Sequence, residues 1–362
     1  MMAIVEEYDM AEVDEARLQD FLGKMLGDLG GAMSVALVRM GSSMGLYSAL
    51  EKDGPATPAE LAARTGTAER YVREWLSAQA ASGYVAYDAA TGRFSLTPEQ
   101  ALVFVDEDNP FFLAPAFDVA SVLLDNQPQV QAAFRTGSGV AWGDQSTCLF
   151  CTTARFFRPG YVAHIVQDWL PALDGVVAKL EQGAKVADIG CGHGISTLLM
   201  AQAFPNAQFV GFDFHAGSIE AGRGHAQEHG LGDRLRFEVA AAKEYPGQDY
   251  DLVTFFDCLH DMGDPVGAAR HVRQSLKPDG TWMIVEPMAG DRLEDNLNPV
   301  SRLFYSASTM ICVPTSLAQE VGAALGAQAG ERRLREVLTE GGFSRIRRAA
   351  ETPFNMILEA RP

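Results

Sequence analysis

The chain has 362 residues, of which 47% are hydrophobic and 21% are charged, proportions that exclude a fibrous or wholly disordered protein. Its 29 basic and 47 acidic residues give a net charge of −18, which repels phosphate backbones and anionic lipid surfaces. The length predicts two domains, and the charge disfavours nucleic acid as a partner.

The N-terminus and the cysteines predict a cytoplasmic protein with no membrane partner. Seven of the first twenty residues are acidic and only Arg17 is basic, whereas a targeting peptide begins with basic residues. We find no apolar run of the roughly 18–20 residues that span a bilayer. Five cysteines, an odd and small number, are typical of reduced thiols. The seven acids are Glu6, Glu7, Asp9, Glu12, Asp14, Glu15 and Asp20.

Residues 12–50 are predicted to be helical, because apolar residues from Leu18 to Leu29 recur at helical spacing. Gly41 and Gly45 are expected to break the helix. The stretch has too little polar surface for a helix that stands alone. We therefore expect a second copy of the chain to pack against it, which would make the protein a homodimer.

Residues 57–96 predict a winged helix, in which two helices are followed by a hairpin. Thr57-Pro58-Ala59-Glu60 is a capping box with proline at the first helical position, and Thr67 is expected to cap the second helix. DNA recognition would need basic residues here, but residues 45–105 contain five basic and seven acidic residues. We therefore interpret residues 1–106 as a dimerisation domain. The second helix should bury a face formed by Val72, Trp75, Leu76 and Gln79.

Residues 107–180 are predicted to be a helical connector. Its glycine-rich segment, Gly137–Asp144, contains one large aromatic residue, Trp142. Loops of this kind at a domain junction often carry ligand contacts, so Trp142 is a candidate substrate contact. The alternative is that the segment only tethers the domains.

From Lys185 onward, short apolar runs alternate with helical segments, a pattern typical of a doubly wound α/β domain. We expect this domain to occupy residues 181–362 and to carry a lid-like insertion at about 291–330. The predicted strands are Lys185–Ile189, Gln208–Phe212, Leu235–Val239, Asp251–Phe256, Thr281–Val285, Ser344–Ala349 and Asn355–Ala360.

The strongest motif runs from Asp188 to Gly194 (Asp-Ile-Gly-Cys-Gly-His-Gly), at the end of the first strand of that domain. Its alternating glycines permit a tight turn and a close approach of the backbone to a ligand. A dinucleotide-binding motif would have its third glycine at position 195, where Ile195 stands, so an NAD-linked oxidoreductase is disfavoured. Asp213 ends the second strand, where it is placed to accept hydrogen bonds from both ribose hydroxyls of a nucleoside.

These motifs resemble those of the class I S-adenosylmethionine-dependent methyltransferases. Residues 250–261 resemble the family's fourth-strand motif, and Leu276–Thr281 resembles the turn before strand five. Together with the winged helix, the resemblance points to small-molecule O-methyltransferases and to related bacterial proteins described as transcriptional regulators. It implies a Rossmann-like sheet of seven strands with the last antiparallel, S-adenosylmethionine as cofactor, and dimerisation through the winged helix. A ligand-responsive regulator that senses the cofactor is the alternative function.

The resemblance also implies a cofactor site. Gly190–Gly194 would hold the amino-acid end of the cofactor and Asp213 its ribose, whereas Ala241 stands where the family often has an acid near adenine. Recognition of adenine at that point would fall to backbone groups. The implied cofactor-binding residues are Asp188, Gly190, Cys191, Gly192, Gly194, Asp213, Phe214, Ala241, Asp257 and Cys258.

His260 is the candidate catalytic residue, because it follows the fourth strand at the mouth of the site. An imidazole there can take a proton from a phenol or another hydroxyl of a small-molecule acceptor. In the O-methyltransferases that His260-Asp261 resembles, the histidine is the general base; a histidine that only lines the pocket is the alternative. Methyl transfer from a sulfonium needs no metal, so we expect none. The motif alone does not separate O- from N- or C-methylation. In the insertion, Tyr305 and Met310 are expected to contact a flat apolar substrate.

Three other patterns have ordinary structural explanations. His225-Ala-Gln-Glu-His229 spells an inverted zinc-protease motif but lies in a helix that is expected to face solvent. Cys148-x-x-Cys151 lacks a second cysteine pair and is expected to be two buried thiols. The arginines between Arg332 and Arg348 are interleaved with glutamates, as on a solvated helix face.

Overall fold

The computed structural model describes residues 13–107, 109–146 and 148–362. The chain forms two compact units, one up to Asp106 and one from Glu107 onward, so the residues of the predicted connector belong to the second unit. The acids of the N-terminus that lie outside the described residues are Glu6, Glu7, Asp9 and Glu12.

The first unit consists of a long N-terminal helix and a winged-helix domain that follows it. Its two short strands pair antiparallel, as the predicted hairpin requires. Its helices and strands are α1 (Glu15–Ser43), α2 (Leu46–Asp53), α3 (Pro58–Thr65), α4 (Glu69–Ala81), β1 (Ala86–Asp88), β2 (Arg93–Ser95) and α5 (Pro98–Phe104).

Helix α1 is continuous where the sequence predicted a break. A Cβ atom at Gly41 would come within 2.5 Å of the Trp75 ring and 2.6 Å of the Tyr47 ring, so this glycine permits close packing. The chain turns only at Gly45, whose φ is 68°. By length and composition alone α1 passes the test for a membrane-spanning helix, and 11% of its apolar stretch is buried; a single helix of this kind near the N-terminus is weak evidence and does not overturn the expectation. Its exposed apolar side chains include Leu18, Phe21, Leu22, Met25, Leu26, Leu29, Met33 and Met40.

The capping box at the start of α3 is confirmed. Thr57 Oγ1 accepts a hydrogen bond from the Glu60 N–H (3.3 Å), and the Glu60 carboxylate accepts one from the Thr57 N–H (2.7 Å). The predicted cap at Thr67 is wrong, because Ala68 precedes α4 while the Thr67 hydroxyl bonds the Thr65 hydroxyl at 2.9 Å. The four residues of the predicted α4 face are buried.

The second unit is a mixed α/β domain. Its helices are α6 (Ala114–Thr136), α7 (Cys148–His164), α8 (Val176–Gln182), α9 (Ile195–Ala203), α10 (Ala216–Glu228), α11 (Pro265–Ser275), α12 (Pro299–Ala307), α13 (Val313–Leu317) and α14 (Gly330–Glu340). Its strands are β3 (Lys185–Ile189), β4 (Gln208–Asp213), β5 (Leu235–Val239), β6 (Tyr250–Phe256), β7 (Leu276–Pro287), β8 (Arg345–Glu351) and β9 (Asn355–Arg361).

The seven strands form one sheet in the order β5-β4-β3-β6-β7-β9-β8. Strands β3 to β7 are parallel, and the last strand, β9, runs antiparallel to both neighbours, as the resemblance implies. In this register Asp188 of β3 lies beside Gly211 of β4 and Thr254 of β6. All seven predicted strands are present, with their ends shifted by a few residues.

Helices cover both faces of the sheet, which explains why its strands are apolar on both sides. On one face, residues such as Val186 and Leu252 pack with Met200 of α9. On the other face, Val253 and Trp282 belong to a second buried cluster. Because parallel strands end at the same edge, the loops that follow β3, β4, β5 and β6 converge there, the usual position of a ligand site in such folds.

Candidate active site

A cavity of about 690 Å³ lies where these strands end. The loops after β3 to β6 form one wall, and side chains from α6, α7 and the insertion form the opposite wall. The volume falls within the range of about 300–1,000 Å³ that small-molecule sites occupy. We call the two sides the cofactor wall and the acceptor wall.

The glycine-rich turn after β3 belongs to the cofactor wall. Gly190 and Gly192 have φ values of 69° and 52°, a conformation that favours glycine. The Gly190 N–H donates to the Phe212 carbonyl (2.8 Å), and the Gly192 N–H donates to Asp213 Oδ2 (3.0 Å). The acid that ends β4 therefore holds the glycine turn that follows β3, which joins the two predicted motifs.

Two residues predicted to contact the cofactor, Asp188 and Gly194, are buried and do not line the cavity. Asp188 is fully buried, and burial raises its pKa to about 6 although three hydroxyl donors oppose the shift. A Cβ atom at Gly194 would lie 2.4 Å from the Phe237 ring, so this glycine permits packing. Both residues pack on the side of the turn that faces away from the cavity. The hydroxyls that donate to Asp188 are those of Ser196 (2.7 Å), Thr197 (2.6 Å) and Thr254 (2.9 Å).

Asp213 and Phe214 lie on the cofactor wall at the end of β4. Asp213 Oδ1 accepts a hydrogen bond from the His215 N–H (2.8 Å), and Oδ2 accepts the one from Gly192. Burial raises the pKa of Asp213, and the two N–H donors oppose that effect. Each carboxylate oxygen has a further lone pair, so Asp213 can still accept hydrogen bonds from ribose hydroxyls.

The segment Ala240–Lys243, which includes Ala241, lines the cavity after β5. Lys243 Nζ donates to Glu320 (2.8 Å) and to Asp264 (3.1 Å), and these hydrogen bonds raise the pKa of Lys243. Backbone groups alone were expected to bind adenine at this end of the cavity. The structure adds a charged group to it, and Glu320 in that group comes from the insertion.

Asp257 and Cys258 follow β6 and line the cavity. Asp257 has a φ of 50°, which is uncommon for a residue with a side chain. Its carboxylate accepts hydrogen bonds from the Tyr161 hydroxyl (2.9 Å) and from Asn355 Nδ2 (2.8 Å). Burial, with the nearby Glu286 carboxylate, raises the pKa of Asp257 to about 7.

His260 lies on the cavity wall in the turn after β6, and it is 3% exposed. Its Nδ1 lies 2.6 Å from Glu286 Oε2, while Glu286 Oε1 accepts a hydrogen bond from the Leu259 N–H (3.0 Å). Its Nε2 lies 3.1 Å from Asp261 Oδ1. Burial alone lowers the pKa of His260, but the carboxylates of Glu286 and Asp261 outweigh burial and hold the pKa well above the ordinary value.

Cys312 of the insertion joins this group. Among the described residues, the ligand-type atoms of Cys312, His260 and Asp261 lie within 4.8 Å of one another, a set that could hold a metal ion. Burial and the Asp261 carboxylate raise the pKa of Cys312 to about 12, so its thiol keeps a proton at neutral pH. The three side chains lie where the turn after β6 meets the insertion.

The acceptor wall is apolar. Trp142 lies in it, with its ring centroid 5.3 Å from that of Phe150. Tyr305 and Met310 do not line the cavity: the Tyr305 hydroxyl meets Asn296 Nδ2 at 3.4 Å, and Met310 packs against buried clusters. Their contact with substrate stays a prediction that the lining of the cavity does not support. The insertion contributes Val300, Leu303, Phe304, Ser306, Ala307, Ile311, Cys312, Thr315, Gln319, Glu320 and Ala327 to the lining.

Sequence reasoning missed Tyr161, Glu286 and Gln319. Glu286 carried a usable signal, because it is an acid that directly follows the apolar end of the predicted strand at Thr281–Val285. Tyr161 carried none, since it lies among the aromatic residues of an irregular helical stretch. The role of Gln319 depends on contacts with residues more than fifty positions away.

Two of the other patterns differ from the structural explanations expected of them. His225 Nδ1 lies 3.0 Å from the His193 carbonyl, and His229 Nδ1 lies 2.9 Å from the His225 carbonyl, so backbone groups occupy these nitrogens. Arg348 pairs with glutamates, but it lies with Arg345 and Arg347 in strand β8, where a helix face was predicted. Cys151 is exposed where a buried thiol was predicted. The side chain of Cys148 lies outside the described residues.

Comparisons with known sequences agree with this geometry. Residues 180–342 match the family model of a methyltransferase domain, and residues 31–105 match that of the Rv2258c-like winged HTH domain. A ubiquinone biosynthesis O-methyltransferase from Bordetella avium is 34% identical over 151 residues, which cover 41% of this chain and 56% of the relative. The chain thus spans a little over half the length of this curated relative.

Solved structures of O-methyltransferases share the fold. An O-methyltransferase family protein from Burkholderia thailandensis superposes with a TM-score of 0.69 at 18% identity, covering 97% of this chain and 98% of its own. Human N-acetylserotonin methyltransferase in complex with S-adenosylmethionine superposes with a TM-score of 0.65 at 16% identity, covering 99% of both chains. The chain therefore contains a methyltransferase domain over residues 180–342, which an Rv2258c-like winged HTH domain over residues 31–105 precedes.

Proposed function

We propose that the protein transfers the methyl group of S-adenosylmethionine to a hydroxyl of a small, flat, apolar acceptor, with His260 as general base. The observation that carries the proposal is that His260, which lines the same cavity as the glycine turn, is paired with the buried carboxylate of Glu286. A carboxylate at Nδ1 fixes the orientation and tautomer of an imidazole. Nε2, which lies 3.1 Å from Asp261 Oδ1, is then the nitrogen that would exchange a proton with the acceptor.

The residues of the cofactor wall fit the cofactor. Gly190 and Gly192 expose backbone without side chains, and Asp213 offers acceptor oxygens for ribose. Asp257 and Cys258 complete the wall beside them. When bound, S-adenosylmethionine supplies a methyl group that its sulfonium already activates. The protein therefore has to place the acceptor and receive one proton.

His260 would receive that proton. Glu286 and Asp261 raise the pKa of His260 and so favour its imidazolium form. Only the neutral form can act as a base, and turnover should therefore increase as pH rises through the raised pKa. Once the hydroxyl proton has moved to Nε2, the same two carboxylates stabilise the product imidazolium. The apolar acceptor wall excludes water and strengthens these interactions.

The first test is binding. Purified wild type, freed of co-purified ligand, is titrated with S-adenosylhomocysteine by calorimetry, and we expect micromolar affinity. Phenols, alcohols and amines are then offered with a donor labelled in its methyl group. Methylated phenols support the proposal. Methylation of amines alone would overturn the hydroxyl assignment, and no binding by folded protein would overturn the cofactor assignment.

We also propose that α1 packs against a second copy of the chain, in the cytoplasm. Leu26 and Met33 of α1 are 69% and 79% exposed, and apolar stripes of this size mark interaction surfaces. Sedimentation in buffer without detergent should show a dimer. Replacing both residues by glutamate should give a monomer, while Asp20→Glu serves as the control. A monomeric wild type, or one that sediments with lipid vesicles, would contradict the proposal.

A further inference from the structure

The insertion binds the turn that directly follows His260. This turn comprises Asp261–Gly263. Gln319 Nε2 donates to the Asp261 carbonyl (2.9 Å), and the Gly263 N–H donates to Gln319 Oε1 (3.0 Å). Both polar atoms of one side-chain amide therefore bind the same turn. Gln319 Nε2 also donates to the Thr315 carbonyl (3.1 Å), which fixes the amide from the insertion side.

Further hydrogen bonds from the insertion bind the same turn. Ser316 Oγ donates to the Met262 carbonyl (2.8 Å) and accepts from the Ala324 N–H (2.9 Å). The Ala323 N–H donates to the Gly263 carbonyl (2.8 Å). The insertion thus engages a backbone group of every residue in the turn.

Gly263 shows how close this contact is. A Cβ atom at this position would lie 2.5 Å from Gln319 Cβ and 2.6 Å from the Glu320 carbonyl oxygen. Any residue with a side chain would therefore push the insertion away from the turn. The sequence provides glycine at this point of close contact between the two segments.

We call the segment Gln319–Ala324 the strap. Val321 and Ala324 have φ values of 72° and 46°, a left-handed conformation that is unfavourable for a β-branched residue above all. Glu320 bonds Lys243, which lines the cofactor wall after β5. The strap therefore reaches the cofactor wall on one side and the His260 turn on the other, and its contacts hold the backbone in a conformation that it would not adopt alone.

We propose that Gln319 is a positioning residue for methyl transfer, because its amide orders the Asp261–Gly263 turn, and with it His260, when the strap is closed. This inference rests on the proposed function. Loss of the amide frees the Asp261 carbonyl and the Gly263 N–H, whereas Gly192 and Asp213 keep their own hydrogen bonds to each other. The rate of the chemical step should therefore fall while the cofactor still binds.

The test compares Gln319→Leu with Gln328→Leu by hydrogen exchange on protein saturated with S-adenosylhomocysteine. Gln328 is a matched control, since it lies in the same insertion but its amide donates to the Met288 and Ala327 carbonyls. Gln319→Leu should speed exchange about tenfold in peptides covering 259–265 as well as 318–326, as expected when a hydrogen bond of ordinary strength is lost. Gln328→Leu should leave 259–265 unchanged.

With an acceptor in hand, Gln319→Leu should lower kcat about tenfold and change the KM for the donor by less than about threefold. Gln319→Glu, which keeps an acceptor for the Gly263 N–H, should recover part of the protection and of kcat. If Gln319→Leu does not fold, Gln319→Asn, which is too short to bond both partners, takes its place with the same expectations.

Faster exchange confined to 318–326, with kcat unchanged, would show that Gln319 orders only the strap and would overturn the inference. A rise in donor KM equal to the fall in kcat would overturn it as well. Failure of the wild type to bind S-adenosylhomocysteine is a different result, since it contradicts the proposed function. Exchange in the unliganded protein would then still decide whether Gln319 orders the turn.

Discussion

The two walls of the cavity are built in different ways. Loops that follow parallel strands form the cofactor wall, and backbone hydrogen bonds such as that from the Gly190 N–H to the Phe212 carbonyl fix them. Side chains from helices and from the insertion form the acceptor wall, and most of them are apolar. The first wall is set by the fold and the second by individual side chains. This difference predicts that substitutions on one wall leave the ligand of the other wall largely unaffected.

His260 lies where the two walls meet, and its replacement should have the largest effect. His260→Ala should lower kcat for a phenol that is neutral at the assay pH by about 10²–10⁴-fold, the usual contribution of a general base. Affinity for S-adenosylhomocysteine should not change. An acidic nitrophenol, which is already ionised, is the control, and its kcat should not change. Equal losses with both acceptors would show that His260 is not the base.

Asp213→Ala should have the next largest effect, on the cofactor alone. Hydrogen bonds to a charged group contribute about 1.5–3 kcal/mol, so affinity for S-adenosylhomocysteine should fall about 10–100-fold by calorimetry. Part of the loss comes from the Gly192 N–H, which loses its acceptor. Phe304→Leu, on the acceptor wall, is the matched variant and should bind normally. If it binds as weakly as Asp213→Ala, the two walls are not independent.

Glu286→Gln should move the pH dependence of turnover. The Glu286 carboxylate raises the pKa of His260, so its loss lowers that pKa. Because the neutral histidine is the active form, the acidic limb of kcat/KM should shift to lower pH, while the plateau falls about tenfold as the product imidazolium loses a partner. Profiles of wild type and variant with one phenol measure both effects. If the acidic limb of kcat/KM does not move, a group other than His260 determines it.

The cofactor wall could be predicted from the sequence because its signals are local. Gly190, Gly192 and Asp213 stand at the ends of apolar runs, and parallel strands bring such ends to one edge of a sheet. Asp188 shows the limit of this reasoning. The motif placed it correctly along the chain, but the hydroxyl of Thr254, 66 positions away, and two hydroxyls of α9 occupy its carboxylate.

The acceptor wall could not be predicted, since tertiary packing decides which side of each helix faces the cavity. The sequence showed aromatic residues in the insertion but not the rotation of α12, so Tyr305 was chosen where its neighbour Phe304 lines the cavity. The prediction of a helix break at Gly41 was wrong for the same reason. Its neighbourhood suggested a helix break, but the packing of two rings against it is a tertiary contact.

Tyr305→Phe should have the smallest effect, and it tests whether Tyr305 contacts the acceptor. Adjacent residues on a helix point about 100° apart, so Phe304, 8% exposed, and Tyr305, 36% exposed, serve different surfaces. Removing the Tyr305 hydroxyl should change stability by less than about 0.5 kcal/mol and leave the ranking of phenols by kcat/KM unchanged. Phe304→Leu should favour bulkier phenols, because it enlarges the cavity. If Tyr305→Phe changes the ranking and Phe304→Leu does not, α12 presents its other side to the acceptor, and the acceptor wall described here is wrong.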